Sequence, residues 1–98
     1  MNKTIFLSEL TDRLNIQYEG VDKEIDGIGF CNRNTEYLSI ISYVTNENYV
    51  TQVKENSAIS CLVISDKLRE VYSIEKIGRN ISYIISEKPE ICFYTIHE

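Results

Sequence analysis

The sequence predicts an α/β domain in which a small mixed β-sheet is flanked by helices. Two patterns carry this prediction. In the second half of the chain, segments typical of strands alternate with segments typical of helices, which favours βα units on a largely parallel sheet. In the first half, apolar and polar residues alternate over 16–19 and 24–30, which predicts a hairpin and makes the sheet mixed. A chain of 98 residues, 43% of them hydrophobic, is expected to form one domain over residues 1–98.

Each element follows from the residues that compose it. Ser8 is of a type that caps helices, and the leucines around it recur on one helical face. Tyr37–Val44 is rich in β-branched and aromatic residues, which is typical of a strand buried on both faces. Asp66 suits a helix cap, and Pro89 suits the first position of a helix. In chain order, we predict a strand at 4–6, a helix at 9–15, the hairpin at 16–30, a loop at 31–36, a strand at 37–44, a helix from 45 to about 56, a strand at 59–65, a helix at 67–72, a strand at 81–86 and a C-terminal helix from 89.

Charge and hydropathy argue against several classes of function. Fifteen acidic residues against ten basic ones give a net charge of −5, which disfavours nucleic acid as a partner. No apolar run is long enough to span a bilayer or to resemble a signal sequence, so we expect a cytoplasmic protein without a membrane span. The three cysteines, Cys31, Cys61 and Cys92, match no metal-binding spacing. Cys61 and Cys92 lie in apolar runs and are expected to be small buried hydrophobes of a protein in a reducing compartment.

Residues suited to catalysis are scarce. The single histidine, His97, lies next to the last residue of the sequence, where an exposed tail residue is expected. Asp22, Glu24 and Asp26 are more typical of a solvated hairpin edge than of a metal site. The sequence contains no phosphate-binding glycine motif and no nucleophile elbow. We therefore expect no catalytic residue, no metal site and no cofactor in these residues.

One cluster suggests a ligand. Tyr43, Asn46 and Tyr49 are spaced three and three across a predicted junction from strand to helix, where α/β sheets tend to bind ligands. Two aromatic rings can sandwich a flat heterocycle, and a carboxamide can bond the edge of uracil. The pattern predicts a uridine clamp. The same residues also suit structural roles, with Tyr43 ending a strand, Tyr49 packing a helix onto the sheet and Asn46 capping that helix.

Five segments, taken in order, resemble a known family. They are LSELTDRL at 7–14, YEG at 18–20 followed by EIDGI at 24–28, LSIISYVTNENY at 38–49, AISCLVIS at 58–65 and KPEICF at 88–93. Their order and spacing resemble the N-terminal, uridine-binding domain of the UDP-3-O-acylglucosamine N-acyltransferases of the lipid A pathway. The N-terminal domain of the Mur ligases is a more distant likeness.

The resemblance implies a fold like the Mur ligase N-terminal domain and a UDP-sugar as partner. The family motif F-x-x-N-x-x-Y, whose residues contact uracil, falls on Tyr43, Asn46 and Tyr49. Acyl transfer is then the work of a left-handed β-helix of hexapeptide repeats and an acyl carrier protein, and such repeats do not occur in this sequence. The chain departs from the family in having Tyr43 for a Phe, Glu47 for a Pro, and Asn34–Tyr37 for a glycine-rich turn.

Two other hypotheses remain beside the acyltransferase one. Glu47 and the lost glycine-rich turn favour a non-catalytic protein-interaction module on the same fold, with a degenerate pocket. A Mur-ligase-type domain would also bind a UDP-sugar, but the segment at 88–93 fits the acyltransferase pattern better.

Overall fold

The computed structural model describes residues 4–30 and 37–97, which form two small sheets flanked by helices. The predicted loop, which includes Cys31, and most of the replaced glycine-rich turn lie outside the described residues, as does the side chain of His97. In chain order the elements are β1 (Ile5–Phe6), α1 (Leu7–Arg13), β2 (Glu24–Ile25), β3 (Gly27–Ile28), β4 (Ile40–Tyr43), α2 (Val50–Glu55), β5 (Ile59–Ile64), α3 (Ile74–Ile77), β6 (Ser82–Ile85) and α4 (Pro89–His97).

The larger sheet confirms the prediction of parallel βα units. Its strands lie side by side in the order β3-β4-β5-β6, and every neighbouring pair is parallel. The smaller sheet is the antiparallel pair of β1 and β2. The α/β class with flanking helices is therefore confirmed. Within the described residues, the antiparallel component consists of this separate pair of strands and a single bridge on β6.

Buried apolar side chains cover both faces of the parallel sheet, because β4, β5 and β6 alternate their residues between two cores. We call the first core the α2/α3 face; its buried members are Ile40, Val44, Val53, Ile59, Leu62, Ile64, Tyr72, Ile77, Ile81 and Tyr83. We call the second the α1/α4 face; its buried members are Leu7, Ile25, Ile41, Cys61, Val63 and Ile84, with Cys92 and Ile96 of α4 packed against them. The central strands are buried on both sides, as the apolar runs predicted.

The predicted hairpin between 16–19 and 24–30 is wrong. Glu19 pairs with Tyr83 instead, through backbone hydrogen bonds of 2.7 and 2.9 Å. β2 pairs with β1, and β3 pairs with β4. The alternating pattern correctly indicated extended chain, but each segment takes a distant partner because that partner buries its apolar side against the core.

Two predicted helix starts are also corrected. Ser8 does not cap α1; its backbone N–H and its hydroxyl both donate to the Asp22 carboxylate, at 2.8 and 2.7 Å. The helix predicted at 67–72 is a single 3-10 turn at Asp66–Leu68, after which Tyr72 is buried. The helix on this connection is α3, which ends at Gly78 with a φ of 84°, a conformation that favours glycine.

Candidate functional site

A cleft lies at the carboxyl edge of the parallel sheet, where two successive connections leave to opposite faces. The connection after β5 leads to α3 on one face, whereas the connection after β6 leads to α4 on the opposite face. Ligands of open α/β sheets bind where successive connections leave to opposite faces. A cleft of about 370 Å³ lies at this switch point, lined by Thr45, Ser65, Glu87, Lys88, Pro89, Glu90 and Ile91.

The lining of this switch-point cleft is polar and slightly acidic. Thr45 and Ser65 follow β4 and β5 and bring hydroxyl groups, and the Ser65 hydroxyl is not used to cap the turn that follows it. Glu87 and Glu90 bring two carboxylates against the single ammonium group of Lys88. Such groups bond hydroxyls and amides of a ligand readily, but they offer no excess of positive charge for phosphates.

Tyr43, the last residue of β4, lies on the α1/α4 face. Its ring is 4.6 Å from that of Phe93, 6.1 Å from that of Phe30 and 6.2 Å from that of Tyr94, measured between centroids. Phe30 and Tyr94 are 37% and 44% exposed, whereas Phe93 is buried. Tyr43 is thus a member of a four-ring cluster whose outer rim reaches solvent.

Asn46 caps the 3-10 turn Glu47–Tyr49 that precedes α2. Its side-chain oxygen accepts from the Asn48 backbone N–H at 2.8 Å. Among residues 4–30 and 37–97, the Asn46 side-chain nitrogen donates no hydrogen bond, and the residue is half-buried. The sequence-based prediction of a cap is confirmed, and two N–H donors remain for a ligand.

Tyr49 is half-buried and packs against the α2/α3 face, the side of the sheet opposite to Tyr43. Its backbone N–H donates to the phenol oxygen of Tyr72 at 3.1 Å. The Tyr72 hydroxyl in turn donates to the Asn46 carbonyl at 2.6 Å. The segment from Asn46 to Tyr49 is therefore held by two hydrogen bonds to the phenol of Tyr72, which lies on the connection from β5 to β6.

The three sequence-predicted residues thus share one loop, while their side chains diverge. Tyr43 and Tyr49 lie toward opposite faces, and Asn46 stands between them at the carboxyl end of β4. The chain between Tyr43 and Asn46 reaches the switch-point cleft through Thr45. A flat ring that touches both phenols has to lie across this edge of the sheet, because neither face presents both.

Sequence reasoning missed the residues that surround this loop. Tyr72 and Phe93 gave no local signal, since each looks like an ordinary apolar position of a helix. The hydroxyls of Thr45 and Ser65 could have been found by asking which polar residues directly follow the buried strands.

Other groups of the chain offer little chemistry. Burial raises the pKa of the Cys61 thiol above its usual range, and it also raises that of Cys92, so both are neutral and weakly reactive. Both cysteines are free, and Cys61 is fully buried as expected. No group of three His, Cys, Asp or Glu side chains suited to a metal ion occurs in the described ranges 4–30 and 37–97. Within the same ranges, no helix combines the length and the apolar character needed to cross a bilayer.

No protein-family model matches the chain, and no curated protein sequence matches it.

Proposed function

We propose that this chain is a uridine-recognition domain, the UDP-sugar-binding part of an N-acyltransferase of the lipid A type. The observation that carries the proposal is that the loop bearing Tyr43, Asn46 and Tyr49 meets the switch-point cleft through Thr45. The ligand then lies over the carboxyl end of β4, with its base at the loop and its sugar toward the cleft. The likeness of five ordered segments to that family supports the choice of uridine.

Asn46 is the residue that selects the base. Its oxygen is committed to the Asn48 N–H, so it reads the ligand through its two N–H donors. Uracil presents carbonyl acceptors on both sides of its ring N–H, whereas cytosine presents an amino donor in place of one of them. Cytosine keeps two acceptors, O2 and N3, so the selection depends on position: an Asn46 N–H directed at O4 of uracil meets the amino group of cytosine instead.

Stacking supplies most of the affinity. In this proposal the base lies over the carboxyl end of β4, where it contacts Tyr43 on the α1/α4 side and Tyr49 on the α2/α3 side. Each base–aromatic contact is worth about 1–3 kcal/mol. The Tyr43 ring is already braced by Phe93 at 4.6 Å, so little side-chain entropy is lost when it receives a ligand.

The phosphates contribute little in this proposal. The switch-point cleft holds one ammonium group, Lys88, against the carboxylates of Glu87 and Glu90. A diphosphate gains no net attraction there, and the chain as a whole carries a charge of −5. Recognition thus rests on the base and the hydroxyls of the ligand, which carboxylate and hydroxyl side chains bond well.

The proposal assigns binding to this domain and chemistry elsewhere. Acyl transfer and contact with an acyl carrier protein are assigned to a left-handed β-helix, whose hexapeptide repeats do not occur in the sequence. The Mur-ligase-like arrangement of the fold and a cytoplasmic location belong to the same proposal. The parallel sheet with helices on both faces is compatible with that arrangement.

The test is a titration of the ¹⁵N-labelled protein with uridine, UDP and cytidine, followed by NMR. We expect uridine to shift the amide signals of residues 43–49, UDP to bind no more tightly than uridine, and cytidine to bind more weakly. Asn46→Asp keeps a good helix cap but removes both N–H donors, so we expect about a tenfold loss of uridine affinity with an unchanged Tm.

The matched control is Asn48→Asp, which makes the same change of charge two residues away on an exposed side chain. It should retain the affinity of the parent chain. Uridine is uncharged, so repulsion by the new carboxylate does not confuse the comparison. Equal affinities of the Asn46 and Asn48 variants, or an absence of uridine-induced shifts at 43–49, would refute the proposal.

A second candidate function is the protein-interaction module with a degenerate pocket. The observation in its favour is that three other rings already surround the Tyr43 ring. On this hypothesis Tyr43 is a packing residue, and Asn46 is only a cap. The same titration separates the two functions, because the module would leave the signals of 43–49 unmoved by uridine.

A further inference from the structure

The phenol of Tyr72 is the most completely engaged polar group beneath the candidate loop. The residue is 0% exposed, yet its hydroxyl donates to the Asn46 carbonyl at 2.6 Å and accepts from the Tyr49 N–H at 3.1 Å. One side chain thus satisfies two backbone groups of the segment between the predicted base-reading residue and a predicted stacking residue.

Tyr72 joins two connections that are remote in sequence. It lies between the turn at Asp66–Leu68 and α3, on the connection from β5 to β6, and it reaches the connection from β4 to α2. Its own backbone is held as well, since the Tyr83 hydroxyl donates to the Tyr72 carbonyl at 2.6 Å. The Tyr83 phenol thus bonds the backbone of Tyr72, whereas the Tyr72 phenol bonds the segment 46–49 directly.

This linkage matters because, among residues 4–30 and 37–97, no other side chain from a distant connection hydrogen-bonds the segment 46–49. The Asn46 side chain bonds only to Asn48, within the same turn. Without the Tyr72 hydroxyl, the Tyr49 N–H and the Asn46 carbonyl each lose a partner in a part-buried environment. The separation of the Asn46 and Tyr49 backbones is then no longer fixed.

We propose that Tyr72 is the positioning residue of the uridine site, holding Asn46 and Tyr49 at the separation that a bound base requires. The proposal rests on the proposed function. Tyr72 touches no ligand; it acts through the two residues that do. A small displacement of a binding group is enough to lower affinity strongly, so the loss of one hydroxyl is expected to be visible in binding.

The test is Tyr72→Phe, which keeps the buried ring and removes the hydroxyl. The matched control is Tyr83→Phe, which removes a phenol hydroxyl from the same face but leaves both bonds to the loop intact. Uridine affinity, Tm and amide hydrogen exchange are measured for both, below both melting temperatures. We expect uridine affinity to fall about tenfold in Tyr72→Phe and less than twofold in Tyr83→Phe.

Hydrogen exchange supplies a readout that does not depend on the ligand. The Tyr49 amide should exchange faster in Tyr72→Phe, relative to the remaining amides of the protein, and should keep its relative protection in Tyr83→Phe. If both variants lose the same affinity, or if Tyr49 stays protected in Tyr72→Phe, the positioning role is refuted while uridine binding stands. If the parent chain binds no uridine, the proposed function fails and the positioning of a uridine site falls with it. The exchange data still report whether Tyr72 fixes the loop.

Discussion

The two edges of the parallel sheet differ in how their polar groups are used. At the amino edge, where β3–β6 begin, charged and hydroxyl side chains bond directly to backbone groups of neighbouring segments. At the carboxyl edge, Tyr72 and Asn46 bond backbone groups of the loop after β4, while other polar side chains line the switch-point cleft. The contrast indicates that one edge stabilises the fold, while the other is available for a ligand.

Arg79 is the centre of the amino edge. Its guanidinium group donates to the carbonyls of Val53, Lys54, Asn56 and Ile59, at 2.6–3.1 Å. Two of these carbonyls belong to the last turn of α2, where a helix leaves acceptors unpaired and attracts positive charge. One cation before β6 thus joins the end of α2 to the start of β5.

A second set of bonds ties β2, β4 and β5 together at the same edge. The Asp26 carboxylate accepts from the backbone N–H groups of Leu38 and Ser39, at 3.1 and 2.9 Å. The Ser39 hydroxyl donates to the Glu24 carbonyl at 2.6 Å and lies 2.7 Å from the hydroxyl of Ser60. Asp26 was interpreted from the sequence as part of a solvated edge, whereas the structure uses both of its oxygens.

Among the tests of this contrast, removal of the Arg79 side chain is expected to change stability most. Arg79→Ala removes one donor from each of four carbonyls, of which that of Asn56 keeps the Ile59 N–H, and we expect the free energy of unfolding to fall by about 2–4 kcal/mol. Urea unfolding followed by circular dichroism measures the loss. Arg79→Lys should recover only part of it, because one ammonium group cannot reach all four carbonyls in the geometry of the guanidinium fork.

The same variant also tests the separation of the two edges. At a temperature where Arg79→Ala remains folded, we expect uridine affinity to stay within twofold of the parent chain. A large loss of uridine affinity in the folded variant would show that the two edges are coupled. It would contradict the assignment of stability to the amino edge and of ligand binding to the carboxyl edge.

A matched pair of serines gives the next largest effect. Ser39→Ala at the amino edge leaves the Glu24 carbonyl and the Ser60 hydroxyl short of a partner, and should cost about 1 kcal/mol of stability. Ser65→Ala at the carboxyl edge removes a hydroxyl that caps nothing, so its stability should change by less than about 0.5 kcal/mol. Urea midpoints measured side by side decide the comparison.

The ligand-binding readout should reverse for this pair. Ser65 lines the switch-point cleft, so its loss is expected to weaken uridine binding, whereas Ser39→Ala should leave binding unchanged. If Ser65→Ala destabilises the fold as much as Ser39→Ala does, the carboxyl edge is as structural as the amino edge.

Local patterns predicted the parts of the fold that depend on a single segment. The strands near 40, 60 and 83 and the helix that begins at Pro89 were predicted because apolar runs and proline geometry act within one element. The pairing of Glu19 with Tyr83 and the bonding of Ser8 to Asp22 were missed. Each depends on a partner that only the folded chain brings near.

For the candidate site too, the sequence predicted where residues lie along the chain but not which partners they have in the fold. Spacing predicted that Tyr43, Asn46 and Tyr49 span a junction from strand to helix, and the structure has them at the end of β4 and in the turn before α2. It could not give the face toward which each ring lies, since that depends on the strand's parity against both cores. The sequence also showed no sign of the roles of Tyr72 and Arg79, because each bonds to backbone groups twenty or more residues away.

The smallest expected effect is the change with pH in the stability that the Asp22 carboxylate contributes. Asp22 adjoins Lys23, whose ammonium group bonds the Asn80 carbonyl at the amino edge, so it extends that network toward α1. Hydrogen bonds from the Ser8 hydroxyl and backbone hold the pKa of the Asp22 carboxyl below its usual value. A lowered pKa in the folded state means that the carboxylate stabilises the fold above about pH 4 and loses this contribution as the pH falls through the folded-state pKa. Because the group is solvent-exposed, the contribution is small.

Asp22→Asn should therefore be slightly less stable than the parent chain at pH 7, and the difference should shrink near pH 3, as judged from urea midpoints. Asp12→Asn, at an exposed position of α1 without a side-chain hydrogen bond among the described residues, is the control and should match the stability of the parent chain at pH 7. A difference between Asp22→Asn and the parent chain that stays constant from pH 7 to pH 3 would show that the ionised carboxylate adds nothing to this end of the network.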